Sequence, residues 1–268
     1  MKLLARILGC GSSGGVPRIG GEWGACDPAN PKNRRRRCSL LLRAGPAGLE
    51  GPTTDVLIDT APDLREQLID AGLGRLDGVL YTHEHADQVA GIDDLRVVAI
   101  NMRQRVPVYM DAHTGAELRQ RFHYCFTAPA GSPYPPILDA HEIVAGTPFA
   151  VDGPGGPMAL LGFDQDHGTI RSLGFRIGPL AYSPDLVDLP DSAFEALAGV
   201  ECWIVDALRY RPHPTHSHLE KTLGWIERLG CRAVLTNMHV DLDYDRLSRE
   251  LPDHVEPAYD GMELSFTL

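Results

Sequence analysis

Apolar residues along the chain come in short runs that break off at glycine, proline or a polar cluster, the spacing of strands separated by turns. The runs predict strands at Ala5–Leu8, Ser39–Arg43, Asp55–Asp59, Gly78–Tyr81, Pro107–Met110, Met158–Phe163, Leu173–Ile177, Leu180–Tyr182, Cys202–Asp206, Ala233–Thr236 and Glu263–Thr267. Amphipathic stretches between them predict helices at Pro62–Ala71, Gly91–Asn101, Gly115–Tyr124, Asp191–Leu197, Leu219–Leu229 and Asp245–Leu251. Pro62 suits a first helical turn, and Gly72 and Gly230 suit helix ends. Two Pro- and Gly-rich stretches, Ala128–Pro136 and Gly153–Pro157, read as surface loops because strand signals continue on both sides. The second half faintly echoes the first, with strands that end in polar residues before helices. The expectation is an α/β sandwich forming a single domain over residues 1–268.

Composition narrows the function classes. With 268 residues, 43% hydrophobic and 23% charged, the chain has the apolar side chains for a substantial core. No apolar run approaches the ~20 residues of a membrane-spanning helix, and the N-terminus lacks the apolar stretch of a signal peptide, so no membrane and a cytoplasmic location are expected. The six cysteines form no C-x-x-C pair and are expected to be reduced, with Cys202 and Cys231 as small core residues. A net charge of −11 argues against nucleic acid as a partner, while a small phosphorylated substrate stays compatible. Arg34-Arg35-Arg36-Arg37 runs against that balance; it is either a solvated loop or a positive rim that steers anionic substrates. A homodimer is expected only on the general frequency of dimers among soluble enzymes.

The strongest chemical signal is Tyr81-Thr82-His83-Glu84-His85-Ala86-Asp87-Gln88. An apolar strand runs into two histidines and a carboxylate at alternate positions, which share a face if the backbone stays extended. Imidazole and carboxylate together suit zinc, manganese or iron.

This stretch resembles the H-x-H-x-D-H signature of the metallo-β-lactamase superfamily, with Gln88 in place of the last histidine. The remaining superfamily motifs have counterparts in order: Asp59 after Val56-Leu57-Ile58, the lone His167, Asp185 in Tyr182-Ser183-Pro184-Asp185, and His239 after Val234. The resemblance implies a four-layer αββα sandwich with metal held by loops at one edge of the sheets. By motif position, His83, His85 and His167 would hold a first ion, Asp87 and His239 a second, and Asp185 would bridge them. Asp59 resembles the aspartate that orients ligands by hydrogen bonding, although it could instead cap the helix near Pro62. Gln88, a neutral amide, weakens the second site, so one or two divalent ions (Zn or Mn) are expected.

Gly9-Cys10-Gly11-Ser12-Ser13-Gly14-Gly15-Val16-Pro17 lacks the Gly-Lys-Ser/Thr of a nucleotide-binding loop. Its glycines could serve tight turns alone, or the segment resembles the G-[ST]-G-x-x-x-G-V-P stretch of the phosphodiesterase branch, which includes ribonuclease Z and PhnP-type cyclic phosphodiesterases. Gly91–Arg96 and Ser172–Arg176 also look PhnP-like. In that group a histidine before a late helix acts on the leaving group; His216 is first by spacing and His218 second, within Pro212–His218, and His213 reads as bland. The N-terminal cysteines, Cys26 and Cys38, are too few for the extra structural zinc of some PhnP-type relatives. The reading implied is hydrolysis of small or cyclic phosphodiesters, a cyclic nucleotide or cyclic sugar phosphate, by a metal-bound hydroxide. Hydrolysis of a thioester or lactone at the same metal, or a non-catalytic metal- or nucleotide-binding module, are the other readings.

Overall fold

A computed structural model describes residues 1–128 and 130–268 of the chain. Its strands are β1 (Lys2–Gly9), β2 (Ser39–Gly45), β3 (Thr54–Ile58), β4 (Gly78–Leu80), β5 (Val106–Met110), β6 (Leu138–Glu142) and β7 (Pro148–Val151). They continue as β8 (Met158–His167), β9 (Ile170–Ile177), β10 (Leu180–Ser183), β11 (Cys202–Asp206), β12 (Arg232–Thr236), β13 (Val255–Pro257) and β14 (Glu263–Thr267). The helices are α1 (Leu64–Asp70), α2 (Ala86–Val89), α3 (Leu95–Met102), α4 (Ala112–Arg121), α5 (His123–Phe126), α6 (Asp191–Leu197), α7 (Leu219–Leu229) and α8 (Tyr244–Glu250).

Among the described residues the strands form two mixed seven-stranded sheets, ordered β14-β1-β2-β3-β4-β5-β6 and β13-β12-β11-β10-β9-β8-β7. Alternation along single strands dictates how they stack. Leu40, Leu42 and Ala44 of β2 and Val56 and Ile58 of β3 join one apolar cluster with Phe163, Phe175, Ile177 and Tyr182 of the second sheet. Leu41 and Leu57, one position out of phase, point the other way, onto Leu64 and Leu68 of α1, Leu95 and Val98 of α3 and Leu118 of α4. Helices α6 and α7 bring Ala193, Leu197, Trp225 and Ile226 against the second sheet. The result is an α/β sandwich of four layers, αββα, the metallo-β-lactamase architecture, and one cluster reaches from Leu3 to Leu264. Leu42, fully buried between the sheets, tests this core. Leu42→Ala is expected to lower unfolding free energy by about 2–5 kcal/mol in urea titration, through lost transfer energy and the cavity left behind.

Every expected strand is present, and β6, β7 and β13 are additional. These three are edge strands; β6 reads Leu-Asp-Ala-His-Glu and β7 is mostly exposed. An edge strand has one neighbour and tolerates polar residues, so it leaves little apolar pattern to read. The expected helix at Pro62 begins two residues later, at Leu64. That at Gly115 begins earlier, at Ala112, where the Asp111 carboxylate accepts from Thr114 N at 2.7 Å. The Gly153–Pro157 loop packs on the first sheet, with Thr54 Oγ1 donating to Gly156 O at 2.6 Å. Pro129, within the other expected loop, lies outside the described residues. All six cysteines are buried and free.

Candidate metal centre

Strands β3 and β4 run parallel, as do β10, β11 and β12, and β8 shares their direction through the antiparallel β9. Their C-terminal ends therefore open on common edges of the two sheets. The residues that follow them are Asp59, His83, Asp185 and Asn237, while His167 and Asp206 close β8 and β11. Asp59 and Asn237 have φ of 64° and 58°. That left-handed turn costs Asp and Asn less than other non-glycine residues and swings each side chain off its strand sharply.

His83, His85, His167 and Asp185 each offer a ligand atom, all within 4.8 Å of one another. His85 Nδ1 is 3.2 Å from His167 Nε2, and Asp185 Oδ2 is 3.3 Å from His83 Nε2 and 3.9 Å from His167 Nε2. Donors bound at 2.0–2.1 Å around one tetrahedral ion stand about 3.3 Å apart, so this cage is of the right size for zinc or an ion like it.

The hydrogen bonds leave the correct lone pairs free. Thr82 Oγ1 donates to Asp59 Oδ2 at 2.9 Å, so its remaining contact, at 2.9 Å to His83 Nδ1, accepts the ring N–H. His83 Nε2 is thereby unprotonated, and it is buried without a hydrogen-bond partner. The Thr215 carbonyl at 2.6 Å takes the N–H of His167 Nδ1 and frees Nε2 in the same way. Burial, followed by the neighbouring histidines, holds His83 well below the usual imidazole range; burial and His216 bring His167 down to about 3. Both are neutral, as metal ligands must be. Burial pushes the Asp185 carboxyl well up, with Asp87, Asp206 and Asp59 adding to it against His216. Buried carboxylates beside bare imidazole nitrogens are costly unless a cation joins them, and the donor set, completed by the exposed His85, fits a divalent ion.

A second group joins Asp185 to Asp206 and His216, again within 4.8 Å. His216 Nδ1 lies 2.9 Å from Asp206 Oδ2, and the His216 and His167 ring centroids are 4.7 Å apart. Burial alone would lower His216, but Asp206, then Asp185 and Asp87, outweigh it and hold the imidazole up at about 9. Asn237 Nδ2 donates to Asp185 Oδ1 at 2.8 Å.

The expected residues thus separate. Asp59 reaches His83 through Thr82, with Thr82 N also donating to Asp59 Oδ1 at 2.8 Å; it does not cap α1, whose first turn follows Asp63. The extended face expected for His83, His85 and Asp87 ends at His85, because the chain turns helical at Ala86. Asp87 is half-buried in α2, outside both ligand groups. Gln88 is buried, with Nε2 3.4 Å from Asp185 Oδ2 and Oε1 unpartnered. His239, expected as the last ligand, falls two residues beyond the one aimed at Asp185: its ring lies between the Arg18 guanidinium and Asp241, and Asn237 takes the strand-end position. His218 lies at the start of α7, outside the ligand groups; His213, read as bland, is also outside them, its ring tilted at 51° to that of His216 with centroids 5.2 Å apart. Sequence reasoning missed Thr82 and Asn237; a polar residue ending an apolar strand was the signal for Asn237.

The arginine run is neither purely a solvated loop nor purely a rim. Arg35, 2% exposed, donates to Leu242 O at 2.7 Å, and Arg36 binds Asp70 at 2.7 Å and Asp260 at 3.2 Å. Arg37 pairs with Asp63 at 3.0 Å and, with Arg18 and Ser13, lines a cavity of about 590 Å³ beside Asp87. The glycine-rich segment forms the adjoining wall by close approach: a Cβ on Gly9 would stand 2.0 Å from Arg37 O, and one on Gly11 2.9 Å from Arg35 Cβ.

Comparison with known proteins agrees with this geometry. A model of the β-lactamase superfamily domain matches residues 54–240. The chain is 34% identical over 264 residues to an octanoyltransferase of Porphyromonas gingivalis, a match covering 96% of this chain and 50% of that protein. The chain therefore spans about half the length of that curated relative. The crystal structure of a new diphosphatase from the PhnP family superposes with a TM-score of 0.87 at 32% identity, covering 99% of this chain and 98% of that one. Human tRNase Z, short form, superposes with a TM-score of 0.64 at 17% identity over both whole chains, a likeness of fold. No helix among the described residues is long and apolar enough to cross a membrane.

Proposed function

Because the chain belongs to the β-lactamase superfamily, we propose that it is a metal-dependent hydrolase whose substrates are small or cyclic phosphodiesters. The observation that carries this reading is the Asp206–His216 pair beside the histidine cage. His83, His85, His167 and Asp185 would hold a divalent ion, zinc or manganese; a second ion would need Asp87, which lines the adjoining cavity, and His239, which would first have to leave Arg18. Such an ion, when bound, supplies an acidified water and offsets charge growing on the phosphoryl oxygens.

The chain's own residues supply the rest. Asp59 and Thr82 fix the tautomer and orientation of His83. Asp206 keeps His216 protonated, so that it can give a proton to the departing alkoxide. Asn237 holds the Asp185 carboxylate by donating to it. Arg18 and Arg37 line the cavity beside Asp87, where an anionic substrate would have to compete with their present partners, Glu22 and Asp63. The similarity to a protein described as a diphosphatase supports phosphorus chemistry.

A second reading, attack on a carbonyl in a thioester or lactone, is favoured by the curated relative named an octanoyltransferase, although that protein is twice as long as the match. The deciding measurement uses protein stripped of metal and reconstituted separately with Mn²⁺ and Zn²⁺. Hydrolysis of bis(p-nitrophenyl) phosphate is expected to follow the added ion. Turnover of octanoyl thioesters with none of the phosphodiester, by metal-loaded protein, would replace the first reading by the second. The protein is expected to act in the cytoplasm.

A further inference from the structure

The two oxygens of the Asp185 carboxylate have different surroundings. Oδ2 is turned to the histidine cage, 3.3 Å from His83 Nε2 and 3.9 Å from His167 Nε2. Oδ1 accepts from Asn237 Nδ2 at 2.8 Å. The Gln88 amide stands over both, with Nε2 3.5 Å from Oδ1 and 3.4 Å from Oδ2. Asp185, Gln88 and Asn237 are all buried. A carboxylate that bridges two ions offers one oxygen to each. Here the oxygen that a second ion would need is taken by an N–H group, and an amide nitrogen carrying its hydrogens has no lone pair to give a metal.

The same amide closes the second ligand group, Asp185, Asp206 and His216. Asn237 Nδ2 lies 3.1 Å from His216 Nδ1 as well as 2.8 Å from Asp185 Oδ1, so it fills the space between two of the three members. The other pair, His216 Nδ1 and Asp206 Oδ2, already face each other at 2.9 Å. Turning the Asn237 amide over would set its oxygen against the Asp185 carboxylate, lone pair to lone pair, and part Oδ1 from the buried Cys38 thiol at 4.0 Å. Asp87 lies outside both groups, and the His239 ring is held between Arg18 and Asp241. We infer that this centre holds a single divalent ion, and that the Gln88 and Asn237 amides stand in the place of a second. Asp185 is then a ligand through one oxygen and not a bridge. The inference rests on the metal-dependent reading above and narrows it from one or two ions to one.

The test is the metal stoichiometry of the full chain, stripped, loaded with an excess of Zn²⁺ or separately Mn²⁺, and freed of unbound ion. Elemental analysis is expected to give about one equivalent per chain with either ion. The Mn²⁺ protein is expected to show the electron paramagnetic resonance signal of an isolated ion, without spin coupling to a neighbour. Two variants address the amides. Asn237→Asp keeps the shape and replaces the donor by a carboxylate. Gln88→His with Asn237→His supplies two imidazoles, and histidine, like asparagine, tolerates the left-handed turn there. Each variant is expected to rise to about two equivalents. Two equivalents in the parent, or a coupled Mn²⁺ pair, would overturn the inference and leave the metal-dependent reading standing. So would both variants remaining at one equivalent with unchanged circular dichroism. A parent that takes up neither ion would overturn both.

Discussion

Asp185→Ala is expected to abolish metal binding and activity together. Asp185 is the one residue common to both ligand groups among the described residues; it lies 3.3 Å from His83 Nε2 and accepts from Asn237. Without it the cage keeps three imidazoles and no carboxylate to balance a divalent ion. Metal content by elemental analysis is expected to fall at least tenfold, and turnover by about 10³-fold or more. The metal-free proteins should behave oppositely. Burial raises the Asp185 carboxyl well above its ordinary value, so the folded state binds its proton more tightly than the unfolded state does. Ionisation of Asp185 therefore costs the metal-free parent stability as pH rises beyond the ordinary Asp value of about 4. Metal-free Asp185→Ala lacks that cost and is expected to unfold no earlier than the metal-free parent at pH 7, while only the parent gains stability on adding metal. A variant that retained the ion and its stabilisation would show that Asp185 is not a ligand.

His216→Ala is expected to do the converse: metal content stays and turnover drops. For an unactivated alkyl phosphodiester the loss is expected to be about 10²–10⁴-fold, the usual worth of a positioned general acid. With p-nitrophenoxide departing, which hardly needs a proton, the loss should be far smaller. The pH profile carries the sign. His216 must be protonated to act, so turnover holds below its value of about 9 and falls as pH rises through it. Asp206→Asn removes the partner charge that raises His216, so the fall should begin at lower pH, with the ion still bound. Equal losses for both leaving groups, or an alkaline limb that Asp206→Asn does not move, would remove His216 from the role of acid.

Much of the architecture is legible in the order of residues along the chain. Central strands such as β2 and β3 carry apolar residues on both faces, and that signal is local. The edge strands β6, β7 and β13 are not legible in the same way, because half their hydrogen bonding and one flank face solvent and place few demands on side-chain type. At the site, His83 and His85 stand out because they are two residues apart on one strand end. Asp87 stands out as part of a motif, but its direction does not follow from the motif, since the chain turns helical at Ala86 and leaves the extended face there.

What the sequence alone determined is therefore the sandwich and the chemical type of its centre, neutral imidazoles and carboxylates at the ends of apolar strands. Only the tertiary structure decided which distant residues meet. It routed Asp59 to His83 through Thr82, joined Asp206 to His216 across ten residues, and aimed Asn237, not His239, at Asp185. The reason is physical: a ligand type is a property of one side chain. Convergence is a property of strand register and of two left-handed turns, which are set by the packing of both sheets at once.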